Sequence, residues 1–106
     1  MAWTGGLSEG RKVAALAETF DRPIAPHDCT GPALLAADTH LVFATANALI
    51  LETVRAHHRS YHRELVTTLP RIEHGLAYPM DGPGLGTALR PELRSRPDVA
   101  IRRSSV

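Results

Sequence analysis

Residues 24–32 read Ile-Ala-Pro-His-Asp-Cys-Thr-Gly-Pro, and residues 48–52 read Ala-Leu-Ile-Leu-Glu. Each stretch begins with a short apolar run that is typical of a buried strand, residues 24–26 in the first and 48–51 in the second. Each run then reaches a reactive polar residue: His27, where we predict that a polar loop begins, and Glu52, where the second strand ends. These two residues stand 25 positions apart. Because parallel α/β sheets and barrels place their chemistry at the carboxyl ends of strands, we predict a shared site at the ends of two neighbouring strands.

Helical patterns precede both strands, so the predicted order is helix, strand, helix, strand, the rhythm of an α/β protein. Residues 7–20 carry apolar side chains at helical spacing, which we expect to face a core. These are Val13, Leu16, Ala17 and Phe20. Pro32 suits the first turn of the second helix, and residues 33–46 are apolar on nearly every face, as in a helix buried on both sides.

Composition excludes several classes of protein. The chain has 106 residues, a net charge of +1, 43% hydrophobic residues and one cysteine, so we expect a globular chain without disulfides in the reducing cytoplasm. The near-neutral charge predicts no nucleic-acid partner. The longest apolar run, residues 41–51, is too short to span a bilayer, and residues 1–6 do not resemble a signal peptide, so we expect no membrane association.

Five segments, taken in order, resemble one family. Residues 3–9 (Trp-Thr-Gly-Gly-Leu-Ser-Glu) resemble the segment after the sixth barrel strand of the mandelate racemase and muconate-lactonising family of the enolase superfamily, and residues 11–18 resemble the helix that follows. Residues 25–32 resemble its seventh strand, residues 47–52 its eighth, and residues 81–86 its C-terminal loop.

The resemblance implies a fold. Residues 1–69 would be the C-terminal portion of a (β/α)8 TIM-like barrel, about strands seven and eight with their flanking helices. Residues 70–106, rich in glycine and proline, would form an irregular, loop-rich C-terminal tail. The complete enzyme is expected to be a homo-oligomer.

The resemblance is strongest to the acid-sugar dehydratases, which are Mg²⁺-dependent lyases, and it implies a role for several residues. His27 would be the base that removes the proton next to the carboxylate of a sugar acid, giving an enediolate. Glu52 would hydrogen-bond the substrate carboxylate or the enolic oxygen. Trp3 and Asp28 would contact substrate. A racemase or cycloisomerase of the same family is the alternative activity.

Parts of the family's machinery are missing from this sequence. The aspartate that supports the histidine would fall just before Met1, and the carboxylate ligands of Mg²⁺ would lie on strands three to five. We therefore expect the chain to be a C-terminal fragment that contains no metal ligand and is inactive alone. A non-catalytic binding module, or one half of a split enzyme, would be the alternatives.

Simpler interpretations of the same residues stay open. His27 could be a structural histidine. Cys29 could be a nucleophile beside it, although no third orienting group is evident and a plain strand-end residue is favoured. His58 and His62 have the spacing of a helical metal site, but no carboxylate completes the set.

Overall fold

The computed structural model describes residues 1–104. Helix α1 spans Leu7–Glu18 and helix α2 spans Pro32–Phe43, each preceding one strand of a parallel pair, β1 (His27–Asp28) and β2 (Glu52–Thr53). Short helices α3 (Arg55–Arg59) and α4 (His62–Leu65) follow, and then a hairpin of β3 (Ile72–Glu73) and β4 (Leu76–Ala77). A 3-10 helix, Pro91–Ser95, comes last. The predicted order of helix, strand, helix, strand is confirmed.

The parallel pair extends further toward the carboxyl end than the sequence predicted. His27 lies opposite Glu52 and Asp28 opposite Thr53, whereas the predicted strands 24–26 and 48–51 contribute only an isolated bridge between Ile24 and Ala48. The prediction that a loop begins at His27 was wrong, because backbone pairing does not depend on side-chain polarity. Between the Ile24–Ala48 bridge and the His27–Glu52 pair, the segment that leads into β2 has one residue more than the segment that leads into β1. The extra residue makes a bulge next to Pro26, which has no N–H to pair.

Both long helices end earlier than predicted. Helix α1 stops at Glu18, because the chain turns back at Asp21, whose φ of 51° lies in the left-handed region, and the Arg22 N–H donates to the carbonyl of Ala17. Helix α2 stops at Phe43, three residues before the predicted end.

The apolar stripe of α1 does not face the core of this chain. Val13, Leu16 and Phe20 are 52%, 63% and 68% exposed, whereas Gly10 and Ala14 are the buried residues of the helix. The prediction was wrong because small residues, which allow close approach, form the buried face, while the larger apolar residues lie on a face that is mostly exposed among residues 1–104.

The second predicted strand is likewise open to solvent. Leu49 is 72% exposed, Ile50 is 54% exposed and Phe43 is 55% exposed. A two-stranded parallel sheet has two unpaired edges, and parallel sheets are normally covered on both faces. The described residues thus present apolar surface of the kind that is normally covered by further strands and helices.

This exposure leads to an expected behaviour of the chain in solution. We expect the isolated chain to bind hydrophobic dyes and to self-associate as its concentration rises, because contiguous apolar patches are association sites. Dye fluorescence and sedimentation at several concentrations would measure this. A monodisperse monomer with a sharp thermal transition and no dye binding would contradict the expectation.

The tail has more regular structure than predicted and is tied to the preceding part. In the β3–β4 hairpin, the turn residues His74 and Gly75 both have positive φ, 51° and 80°, as two-residue hairpin turns require. Val66 bridges to Leu89 in antiparallel fashion, and the Arg90 N–H donates to the carbonyl of Leu65. Residues 105 and 106, the end of the predicted tail, lie outside the described residues. Among residues 1–104, no helix is long and apolar enough to cross a membrane.

Candidate active site

His27 and Glu52 meet at the ends of the two parallel strands. The register places them opposite each other, and Nδ1 of His27 lies 3.1 Å from Oε2 of Glu52. Both side chains are 52% exposed. The predicted pair is therefore adjacent and open to a ligand.

This contact assigns different roles to the two nitrogens of His27. In a neutral imidazole one ring nitrogen donates and the other accepts, and the hydrogen bond made by one sets the tautomer of the other. The Glu52 carboxylate beside Nδ1 favours the tautomer that carries the proton on Nδ1, and in that tautomer Nε2 keeps its lone pair. The arrangement can thus take up a proton at Nε2 while Glu52 holds the ring in place.

Trp3 and His27 line the same cleft. Trp3 is 89% exposed in the turn before α1, where Gly5 and Gly6 adopt φ values of 102° and 88°. The cleft has a volume of about 420 Å³ and is otherwise mainly apolar, with Cys29 also on its wall. A second cleft of about 820 Å³ is lined by both His27 and Glu52. His27 therefore lines both clefts.

Asp28, by contrast, is fully buried. Consecutive residues of a strand point to opposite faces, so Asp28 points away from the side on which His27 is exposed. On its buried side lies His62 of α4, whose Nδ1 is 4.0 Å from Oδ2 of Asp28. In this structure Asp28 therefore has no surface that a substrate could touch.

Two further titratable residues, Asp38 on α2 and His62 on α4, have no exposed surface. Sequence reasoning missed Asp38 and considered His62 only as half of a helical metal site. Asp38 interrupts an otherwise apolar helix, a signal that could have indicated an unusual carboxylate. Burial raises its pKa to about 6, an effect to which nearby Asp28 adds and which the N-terminal amine and His27 oppose.

The raised pKa of Asp38 leads to a prediction about pH. The Asp38 carboxyl holds its proton more tightly in the folded chain than in the unfolded chain. The protonated carboxyl therefore contributes its full stability to the fold below about pH 4, and this contribution is lost as the pH rises through about 6. At pH 7, replacing the ionised carboxylate by the neutral amide in Asp38→Asn should stabilise α2 by up to roughly 3 kcal/mol. Below pH 4 the variant should gain nothing.

Hydrogen exchange of the α2 amides, corrected for the intrinsic rate at each pH, would measure this effect. Asp81→Asn, at an exposed position, is the matched control and should change nothing. An Asp38→Asn variant with the same exchange at pH 7 as the unmutated chain would contradict the prediction.

The described residues do not supply a metal site. No group of three or more His, Cys, Asp or Glu side chains within residues 1–104 is placed to hold an ion. His58 and His62 diverge: the His58 ring bonds the carbonyl of Pro70, while His62 is buried beside Asp28. Mg²⁺ needs several oxygen ligands in an octahedral array, and this donor set does not fit it.

Comparison with known proteins assigns the chain to a family. Residues 1–93 match the family model described as enolase C-terminal domain-like. The chain is 36% identical over 98 residues to a D-galactonate dehydratase of Pectobacterium atrosepticum, a match that covers 88% of this chain and 26% of that protein. It thus spans about a quarter of the length of this curated relative.

Solved structures agree with the sequence relatives. An enolase protein from the environmental genome shotgun sequencing of the Sargasso Sea is 49% identical, with a TM-score of 0.87, over 98% of this chain and 27% of that one. An enolase of the mandelate racemase subgroup from Agrobacterium tumefaciens is 47% identical, with a TM-score of 0.82, over 88% of this chain and 25% of that one. With its parallel strands and the match over residues 1–93, the chain belongs to the enolase C-terminal domain-like family.

Proposed function

We propose that this chain is the C-terminal part of an acid-sugar dehydratase, a hydro-lyase, in which His27 is the base that removes the proton α to the substrate carboxylate. The observation that carries the proposal is the His27–Glu52 pair, joined over 3.1 Å at the ends of adjacent parallel strands. The D-galactonate dehydratase relative supports the substrate class, a polyhydroxylated carboxylate.

In the proposed reaction His27 moves one proton at one atom. Nε2 takes the α-proton, and the electron pair of the broken C–H bond passes into the carboxylate to give an enediolate. That pair then forms the bond between the α and β carbons as the β-hydroxyl departs. The proton on Nε2 joins the hydroxyl to give water, and the remaining enol becomes a 2-keto-3-deoxy acid. Atoms and electrons balance without an external oxidant.

Glu52 has two functions in this proposal. By accepting the Nδ1–H of His27, it fixes the tautomer that leaves Nε2 basic. Because its side chain is exposed at the end of the strand, it would also lie next to the carboxylate or the enolic oxygen of the substrate. Trp3, exposed on the cleft that His27 shares, would cover one side of the substrate.

The rest of the catalytic machinery is assigned to parts of the barrel outside these residues. We expect Mg²⁺ in the complete enzyme to be held there, because the carboxyl groups of residues 1–104 do not form a suitable set. A closed barrel of eight strands typically takes about 250 residues, and this chain contributes two paired parallel strands to it. Its isolated form is therefore proposed to be inactive.

The test is to complete the barrel. Residues 1–106 would replace the corresponding C-terminal quarter of the Pectobacterium atrosepticum D-galactonate dehydratase, and the fusion would be assayed for 2-keto-3-deoxy acid formation from a panel of sugar acids. We expect turnover of at least one of them. The relative itself, carried through the same purification, is the positive control.

A fusion that folds as the relative does, binds Mg²⁺ and yet turns over no sugar acid would contradict the proposal. If the fusion instead interconverted the two configurations at the α-carbon without losing water, the racemase alternative would replace it.

A further inference from the structure

A buried ion-pair geometry lies directly behind the candidate base. Asp28 on β1 and His62 on α4 have no solvent exposure, and Nδ1 of His62 lies 4.0 Å from Oδ2 of Asp28. Within the described residues, neither carboxylate oxygen of Asp28 and neither ring nitrogen of His62 has a hydrogen-bond partner. Such groups are costly to bury unless they satisfy each other.

Proximity and chemistry identify His62 as the partner of Asp28. The buried polar side chains of residues 1–104 are Asp28, Asp38, Thr39 and His62, and His62 is the one whose ring nitrogen lies 4.0 Å from the Asp28 carboxylate and can donate an N–H to it. Burial lowers the pKa of His62, and the adjacent Asp28 opposes that shift. Whether neutral or protonated, the imidazole can present Nδ1–H to the carboxylate, and a shift of about 1 Å brings the 4.0 Å separation to hydrogen-bond length.

Aromatic contacts hold the His62 ring in place. Its centroid lies 4.6 Å from that of Tyr61, edge to face, and 5.6 Å from that of His57. The two short helices that carry the His57 and His62 rings have five and four residues and cannot be stable on their own. They therefore need tertiary contacts, and Asp28 supplies a polar one.

The pair is directly connected to His27, because Asp28 is the next residue of the chain. Strand β1 consists of His27 and Asp28 alone, and adjacent side chains of a strand point in opposite directions. A rotation of the strand that removed Asp28 from His62 would also turn His27 away from Glu52, its partner at 3.1 Å.

We propose that Asp28 and His62 form a buried positioning pair that sets the direction of His27 and so preserves the His27–Glu52 contact. Asp28 acts from behind the strand and does not touch substrate. The importance of this pair for catalysis rests on the proposed function, but its effect on the His27 ring can be measured without any substrate.

The test uses the 106-residue chain at low micromolar concentration with ¹⁵N-labelled histidine. At pH 8, the ring ¹⁵N shifts report the tautomer of His27. We expect the Nδ1–H form to predominate in the unmutated chain and in the control Asp81→Asn. In Asp28→Leu, which has a similar size but no hydrogen-bond acceptor, and in His62→Phe, which keeps a ring but loses both nitrogens, the populations should return to those of a free histidine peptide.

A second measurement tests whether the variants remain folded. Histidine acylation by diethyl pyrocarbonate, mapped by mass spectrometry, should modify His62 more than about tenfold more slowly than exposed His74, because a buried ring reacts only after local opening. Asp28→Leu should remove that protection while His40, bonded to the carbonyl of Leu85, stays protected.

The inference is overturned if His62 of the unmutated chain reacts as fast as His74, or if the His27 tautomer is the same in both variants as in the unmutated chain. Loss of His40 protection in both variants would also count against it, because the pair would then support the whole fold rather than the direction of one side chain. An inactive fusion enzyme that keeps the expected tautomer effect would reject the proposed function alone.

Discussion

In the completed barrel, His27→Asn is expected to lower the rate of 2-keto-3-deoxy acid formation by about 10³-fold or more, since positioned general acid–base groups contribute about 10²–10⁴-fold and the same imidazole serves both the α-carbon and the β-hydroxyl. Asparagine has a similar size and can still bond Glu52, but it has no basic nitrogen. Turnover of the fusion enzyme at saturating sugar acid measures the effect.

Glu52→Gln is the matched comparison. The amide oxygen of glutamine can still accept the Nδ1–H of His27, so the ring keeps its orientation, and the loss of turnover should be clearly smaller than for His27→Asn. Equal losses in the two variants would show that the Glu52 charge matters as much as the base. A His27→Asn enzyme with unchanged turnover would remove His27 from the mechanism.

The 106-residue chain alone is expected to form no detectable product from any sugar acid and to bind Mg²⁺ only as weakly as an ordinary protein surface does. Enzymes accelerate reactions by about 10⁶-fold or more, and in the proposed reaction that acceleration depends on groups outside residues 1–104. His27 and Glu52 form a pair, but Mg²⁺ requires a larger oxygen set.

Calorimetry with Mg²⁺ and a sensitive keto-acid assay would measure both properties of the isolated chain. The fusion enzyme, assayed in parallel, controls for the quality of the reagents. Stoichiometric Mg²⁺ binding with micromolar affinity, or turnover by the chain alone, would contradict the account.

The order of the elements and the meeting of His27 with Glu52 could be predicted from the sequence. The signal was local: an apolar run followed by one reactive polar residue, repeated after a helix. Because parallel strands end at one edge, the repeat was enough to place the two side chains together. The register that puts them 3.1 Å apart depends on a one-residue bulge beside Pro26, and no local pattern specified it.

Burial was predicted less well, and for a physical reason. Periodicity shows which side chains share a face, but not whether a neighbour covers that face. Leu16 and Phe20 therefore looked like core residues and are exposed. Conversely, neither Asp38 nor His62 was expected to be buried, yet both are fully buried, because their burial depends on long-range packing between α2, β1 and α4.

The central claim is that this chain supplies the base of a barrel enzyme, and α-proton exchange in deuterated water tests it most directly, because exchange reports proton removal without requiring the β-hydroxyl to leave. The fusion enzyme would be incubated with a sugar acid that it binds, and deuterium at the α-carbon followed by NMR. We predict exchange with His27 in place and none with His27→Asn, while the variant still binds the acid. Exchange at the unmutated rate in His27→Asn would contradict the claim.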